Sequence, residues 1–83
     1  MHPETLTFTA TPAQIQKLLA GLLESGSQVR QQPDGSYAIS GHAPLGEIEA
    51  TASYVEPTLS VVVLKHGWNP VGEIAKSIQE HLG

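Results

Sequence analysis

Two histidines and two glutamates in the second half of the chain are the residues whose types and spacing predict chemistry. Glu47 and Glu49 are separated by one residue, so their carboxylates point to the same face of an extended strand. His42 precedes this pair, and His66 follows the next strongly apolar segment. Imidazole and carboxylate together suit zinc or a similar divalent ion, and a histidine beside a carboxylate can act as an acid–base pair. The elements that carry these residues must therefore bring them to one place.

The segment at residues 58–66 organises the predicted fold, because it is apolar on both faces of an extended strand. Leu59, Val61 and Val63 point one way, and Val62 and Leu64 point the other. A strand that is apolar on both faces is typical of the middle of a sheet. We therefore predict that this segment is the central strand.

Four other segments show the alternation of apolar and polar residues that is typical of strands. In the first of them, Leu6, Phe8 and Ala10 alternate with threonines. The second is more polar, which suits a strand at the edge of a sheet. These predicted strands are residues 5–10, 28–32, 36–40 and 47–54.

Two segments predict helices, because leucine and isoleucine recur in them at intervals of three and four residues. The first begins with Thr11, Pro12 and Gln14, which together provide an N-cap, a proline in the first turn and a capping box. Asn69 and Pro70 open the second helix in the same way. Both helices therefore present one apolar stripe to the sheet.

The predicted fold class is α+β, as a single domain over residues 1–83. Short connections make the last four strands an antiparallel meander. Because the fifth strand is central, the first strand must lie on its far side. This gives a mostly antiparallel sheet in the order 2-3-4-5-1, with both helices on one face. In outline the arrangement resembles the helix-grip fold, although no sequence motif is shared with it, and fold alone does not imply function.

This topology assembles the polar residues at one end of the sheet. The third and fifth strands run in the same direction, so His42 and His66 lie at the same end. Strand phase places both of them on the helix-free face with Glu47 and Glu49, and His2 begins the first strand at that end. The candidate metal ligands are therefore His42, Glu47, Glu49 and His66. His2 is not included among them. The alternative, which we favour, is the solvated face of a half-exposed sheet, where such side chains are expected.

Trp68 and Tyr54 are the candidate ligand-binding residues. Trp68 is the only tryptophan, and an indole can serve as a platform for a ligand or as an anchor in an interface. The favoured interpretation is structural, with Trp68 covering the open end of the core beneath the last helix. Tyr54 is in phase with the apolar residues of its strand, so a place in the core is favoured for it as well.

Composition excludes several classes of function. The 83 residues carry eight acidic and four basic side chains, for a formal net charge of −4, and no cysteine. The cations are scattered, so there is no basic stripe for a nucleic acid. No apolar run approaches the roughly 18 residues of a membrane span, and the first residues lack the features of a secretory signal. We expect no nucleic-acid or membrane partner, no cofactor and a cytoplasmic location.

The function ranked first is a non-catalytic interaction module that forms a homodimer through the helix-free face of the sheet. Val62 and Leu64 point to this face, and no element of the chain remains to cover them. The predicted interface therefore centres on Val62, Leu64 and Ser60.

Two other functions remain open. A small-molecule-binding protein would use the space between the helices and the sheet, where Ala50 and Ala52 leave room. In so thin a core, however, we expect that space to be filled. A metal-dependent or acid–base enzyme would use His42, Glu47 and His66. It is ranked last, so a non-enzymatic role is favoured.

Overall fold

The protein forms one five-stranded sheet with two helices on one face. The structure is a computed structural model, and it describes residues 4–83 except for the side chain of Ala43. His2 lies outside the described residues. In chain order the elements are β1 (Glu4–Thr9), α1 (Pro12–Glu24), β2 (Gln28–Gln31), β3 (Tyr37–Ala43), β4 (Gly46–Val55), β5 (Thr58–Lys65) and α2 (Val71–Leu82).

The sheet has the order β1-β5-β4-β3-β2, and every neighbouring pair is antiparallel. This confirms the predicted α+β fold and the predicted order 2-3-4-5-1. The helix-side residues of β5 are almost fully buried, with Leu59, Val61 and Val63 each only 2% exposed. Covering a large aliphatic side chain in this way stabilises the fold by about 1.5–3 kcal/mol. The central position of β5 follows from having such residues on both of its faces.

The core lies between the sheet and the helices. The two helices contribute one apolar stripe each, and β4 and β5 contribute the floor. Within residues 4–83, no helix is long and apolar enough to span a membrane. The buried core residues are Ala10, Ile15, Leu18, Ala50, Ala52, Leu59, Val61, Val63 and Leu82.

The start of α1 has the predicted capping box. The Gln14 backbone N–H donates to the Thr11 hydroxyl at 3.2 Å, and the Thr11 backbone N–H donates to the Gln14 side-chain oxygen at 2.8 Å. The start of α2 differs from its prediction, because the capping residue is Pro70 and no side chain caps the helix. The amide of Asn69 is engaged elsewhere, as described below.

An irregularity near the end of β5 changes the face on which its last residues lie. Ala50 of β4 pairs with Val63, but Glu49 pairs with Lys65, so Leu64 is an extra residue in β5. Paired residues share a face of the sheet. Lys65 therefore joins Glu49 on the helix-free face, where simple alternation had predicted His66.

Candidate ligand-binding cleft between the helices and the sheet

A cleft of about 310 Å³ separates the two helices from β3 and β4. Its deepest residues, including Ala52 and Val61, are buried. Its sides are formed by half-buried aliphatic residues, including Leu22 of α1, Ile48 of β4 and Ile74 of α2. The cleft is therefore predominantly apolar.

Small side chains explain why this space is not filled. The floor has Gly41, Ala50 and Ala52 where larger core residues would reach towards the helices, and α2 places Ser77 opposite them. Leu at Ala50 or Ala52 would extend towards the helices, whereas a Cβ at Gly41 would lie 2.8 Å from the Ser27 hydroxyl oxygen. Ala50 and Ala52 are only 6% and 3% exposed, whereas the cleft beside them is open, so the expectation that the space between helices and sheet is filled holds only in part.

The helices touch at the side of the cleft. The Gln14 side-chain amide donates to the Leu82 carbonyl oxygen at 3.3 Å, and the ring of His81 lies against Gly21. A Cβ added at Gly21 would overlap Cδ2 of His81. The absence of a side chain at Gly21 thus gives the imidazole its place between the helices.

Only a few polar groups interrupt the apolar lining. They are the hydroxyls of Ser25, Ser27 and Ser77 and the imidazoles of His42 and His81. The Ser25 hydroxyl donates to the Leu22 carbonyl oxygen at 2.9 Å. No Asp, Glu, Lys or Arg among the described residues lines this cleft. The arrangement suits a neutral molecule, since His42 and His81 are the only titratable side chains among the described residues of its lining.

The predicted polar cluster is assembled only in part. Glu47 lies beside two basic side chains: its Oε1 is 3.8 Å from Nδ1 of His42, and its Oε2 is 3.6 Å from Nζ of Lys65. The extra residue in β5 puts Lys65, and not His66, beside the glutamates. In the described part of the chain, no group of three or more His, Cys, Asp or Glu could hold a metal ion. Zinc binding by His42, Glu47, Glu49 and His66 stays a prediction.

His66 has a different environment from His42. The side chain of His42 is 86% exposed, whereas His66 is half-buried. Its Nδ1 is buried and has no hydrogen-bond partner within residues 4–83. Its backbone carbonyl oxygen, in contrast, accepts two hydrogen bonds from Asn69.

Asn69 joins two loops at one end of the sheet. Its side-chain amide lies 3.3 Å from the Gly46 carbonyl oxygen and 2.9 Å from the His66 carbonyl oxygen, and it donates to both. The Trp68 backbone N–H donates to the Leu45 carbonyl oxygen at 3.0 Å. This role of Asn69 was missed by the sequence analysis, because an Asn before Pro matches a helix start equally well.

Gly67 is the residue from which the sequence could have indicated this contact between loops. Its φ of +57° is in the left-handed region that favours glycine. A Cβ there would also lie 2.8 Å from the Leu45 carbonyl oxygen. A glycine therefore satisfies both requirements at the junction.

The two aromatic candidates have opposite surroundings. Trp68 is 87% exposed, so the interpretation that it covers the core is wrong. Tyr54 packs against the core, and its hydroxyl donates to the Ala10 carbonyl oxygen at 2.7 Å. Burial, followed by the nearby charge of Glu56, raises the pKa of Tyr54 above its usual value. Neither side chain lines the cleft, and their ligand-binding role stays a prediction.

The helix-free face carries the predicted interface residues. Ser60 and Val62 are half-buried, and Leu64 is 57% exposed. Leu64 borders a larger hollow of about 520 Å³, which is more open and is lined mainly by polar residues. Volume alone would favour that hollow as a ligand site, but a small apolar molecule is better enclosed by the cleft.

Comparison of the chain with protein-family models, with curated proteins and with solved structures gave no match.

Proposed function

We propose that this protein binds a small, neutral, apolar molecule in the cleft between its helices and its sheet. The observation that carries the proposal is a predominantly apolar cleft of about 310 Å³ whose described lining contains no Asp, Glu, Lys or Arg. Ligand sites in proteins are typically apolar concavities of about 300–1,000 Å³ that contain a few polar groups. The cleft meets this description at the small end of the range.

The volume also supports a ligand rather than a packing defect. Protein interiors are close-packed, and voids larger than a water molecule are few. An apolar cavity of about 150 Å³ is enough to hold benzene. The cleft has about twice that volume and is partly open to solvent, and a bound two-ring molecule would cover its apolar lining.

The test is the binding of 2-methoxynaphthalene, a neutral fluorescent probe with two fused rings. We expect its emission to shift towards the blue on binding and the melting temperature of the protein to rise with probe concentration. Ala52→Leu fills the floor of the cleft and Ser77→Leu narrows its mouth. Each should weaken binding by about tenfold or more.

Ala20→Leu is the matched control, because Ala20 is exposed on α1 and does not line the cleft. It should bind the probe like the wild type. Far-UV circular dichroism establishes that each variant is folded. Equal binding by all four proteins, or no binding by the wild type, would contradict the proposal.

A second candidate function is self-association through the helix-free face, for which the distribution of charge is the supporting observation. The middle of this face has no charged side chain on β1, β4 or β5, where the paired positions are Thr5, Thr7, Thr51, Ser53, Ser60 and Val62. Leu64 adds an exposed aliphatic residue beside them. A second copy of the chain offers the same uncharged surface, so the two faces could pack without burying an ion.

A further inference from the structure

The geometry around His81, a polar residue of the cleft, indicates which of its ring nitrogens carries a hydrogen. Its Nδ1 is 2.8 Å from the backbone carbonyl oxygen of Ser77, one turn earlier in α2. A carbonyl oxygen only accepts hydrogen bonds, so Nδ1 must carry the hydrogen. In the neutral imidazole, Nε2 is then an acceptor with a free lone pair.

No described residue forms a hydrogen bond with Nε2 of His81. One ring nitrogen bonds to the Ser77 carbonyl oxygen on its own helix, and the ring lies beside Gly21 on α1. It also forms part of the cleft lining. An acceptor among the few polar groups of a predominantly apolar lining favours a ligand that brings a hydrogen-bond donor.

We infer that the ligand of the cleft is a neutral molecule of about two fused rings that carries a hydroxyl or N–H group, and that this group donates to Nε2 of His81. The inference rests on the proposed function, because it names the ligand class of the same cleft. The size comes from the volume of about 310 Å³, and the neutrality comes from a lining without Asp, Glu, Lys or Arg among the described residues. The donor comes from the tautomer that Ser77 imposes.

The test compares 2-naphthol with 2-methoxynaphthalene, since the two molecules differ mainly in whether the oxygen carries a hydrogen. Both are titrated into the wild type and into His81→Phe, which keeps an aromatic ring and removes both nitrogens. We expect the wild type to bind 2-naphthol about 2- to 10-fold more tightly. In His81→Phe this preference should disappear, while the affinity for 2-methoxynaphthalene stays within about twofold.

The outcomes distinguish a failure of the role of His81 from a failure of ligand binding in the cleft. If both probes bind and His81→Phe keeps the same preference as the wild type, the role of His81 is wrong and the cleft still binds ligands. If neither probe binds the wild type, both ideas fail. His66→Phe is the matched control, because it makes the same change of imidazole to phenyl outside the cleft lining, and it should keep the preference for 2-naphthol.

A second measurement needs no variant and so covers the case in which His81→Phe does not fold. Long-range proton–nitrogen spectra of the wild type distinguish protonated from unprotonated ring nitrogens. We expect Nδ1 of His81 to be protonated, and we expect the resonance of Nε2 to move towards lower nitrogen shift when 2-naphthol is added. A protonated Nε2 in the free protein, or a resonance that 2-naphthol leaves in place, would overturn the inference.

Discussion

The two faces of the sheet use the same strands in opposite ways. On the helix side, β5 contributes Val61 and Val63, which are each 2% exposed. On the other side it contributes Val62, which is half-buried, and Leu64, which is 57% exposed. Four neighbouring aliphatic residues therefore belong to a packed core or to an open surface according to the side of the strand from which they project.

The comparison shows that an apolar face of this sheet is not necessarily a closely packed one. The helix-side face is covered, yet small residues at 41, 50 and 52 leave a cleft in it. The helix-free face has large aliphatic residues and nothing of residues 4–83 above them. Binding of a small molecule is proposed for the first face and binding of a second copy for the second.

The largest expected difference between the faces is in stability. Val63→Ala removes two methyl groups from the core and should lower the free energy of unfolding by about 1–3 kcal/mol. Val62→Ala makes the same change on the other face and should cost about 1 kcal/mol or less. Urea unfolding of the two variants measures the difference, and equal costs would mean that the faces are packed alike.

The next effect concerns the second copy. Leu64→Lys puts a charge beside the uncharged middle of the helix-free face and should weaken self-association by about tenfold or more, since the dimer would have to bury that charge. Leu23→Lys is the control, because Leu23 on α1 is 58% exposed against 57% for Leu64. Sedimentation equilibrium compares the two variants with the wild type. A wild type that stays monomeric at every accessible concentration removes the dimer proposal.

A smaller effect on stability is expected at His66, which directly follows β5. His66→Phe replaces a ring whose buried Nδ1 has no partner within the described residues. A buried polar atom without a hydrogen bond is costly, so this change should raise stability by about 1 kcal/mol. His42→Phe, at an exposed position, should change it by about 0.5 kcal/mol or less. Chemical unfolding checks both, and a loss of stability in His66→Phe would show that Nδ1 has a partner, such as a water molecule.

The smallest effect belongs to the turn between β2 and β3, which is part of neither face. The Asp34 carboxylate accepts hydrogen bonds from the Ser36 hydroxyl at 2.6 Å and the Ser36 backbone N–H at 2.9 Å. These bonds lower the pKa of Asp34 from its ordinary 3.8. The stability they add is present above pH 3.8 and is lost as the pH falls through the lower pKa of the folded state.

Asp34→Asn should therefore remove a small part of the acid dependence of unfolding without affecting probe binding in the cleft. Denaturant unfolding at a series of pH values below 3.8 measures this dependence for both proteins. Identical pH profiles would mean that these hydrogen bonds add no stability in solution.

The strand order was predictable from the sequence because it depended on contrast between neighbouring residues. β5 is apolar on both faces and β2 is polar, so one had to be central and the other at an edge. The start of α1 was predictable for a similar reason, since Thr11, Pro12 and Gln14 satisfy three requirements of a helix start together.

The end of β5 was not predictable in the same way. Residues 61–64 are all aliphatic, so the sequence looks the same whichever face each side chain occupies. It therefore gives no sign of an extra residue at Leu64. A shift of one residue moves every later side chain to the other face. This shift put Lys65 beside Glu47 and moved His66 away from the predicted cluster.

The cleft could not be predicted from the sequence, because its existence depends on the distance between the helices and the sheet. The patterns that predict strands and helices do not give this distance. Ala50 and Ala52 indicate that room exists above the sheet, but whether a helix closes it depends on where the helices touch. Here Gly21 and His81 provide that contact at the side of the cleft. The position of a histidine ring against a glycine on another helix cannot be inferred from spacing along the chain.

The exposure of Trp68 has a spectroscopic consequence. It is the only tryptophan and is 87% exposed, so its indole already meets water in the folded protein. Its emission should change little on unfolding, and a soluble quencher should reach it in both states. A screen that relies on tryptophan fluorescence would therefore record a stably folded protein as an unfolded one.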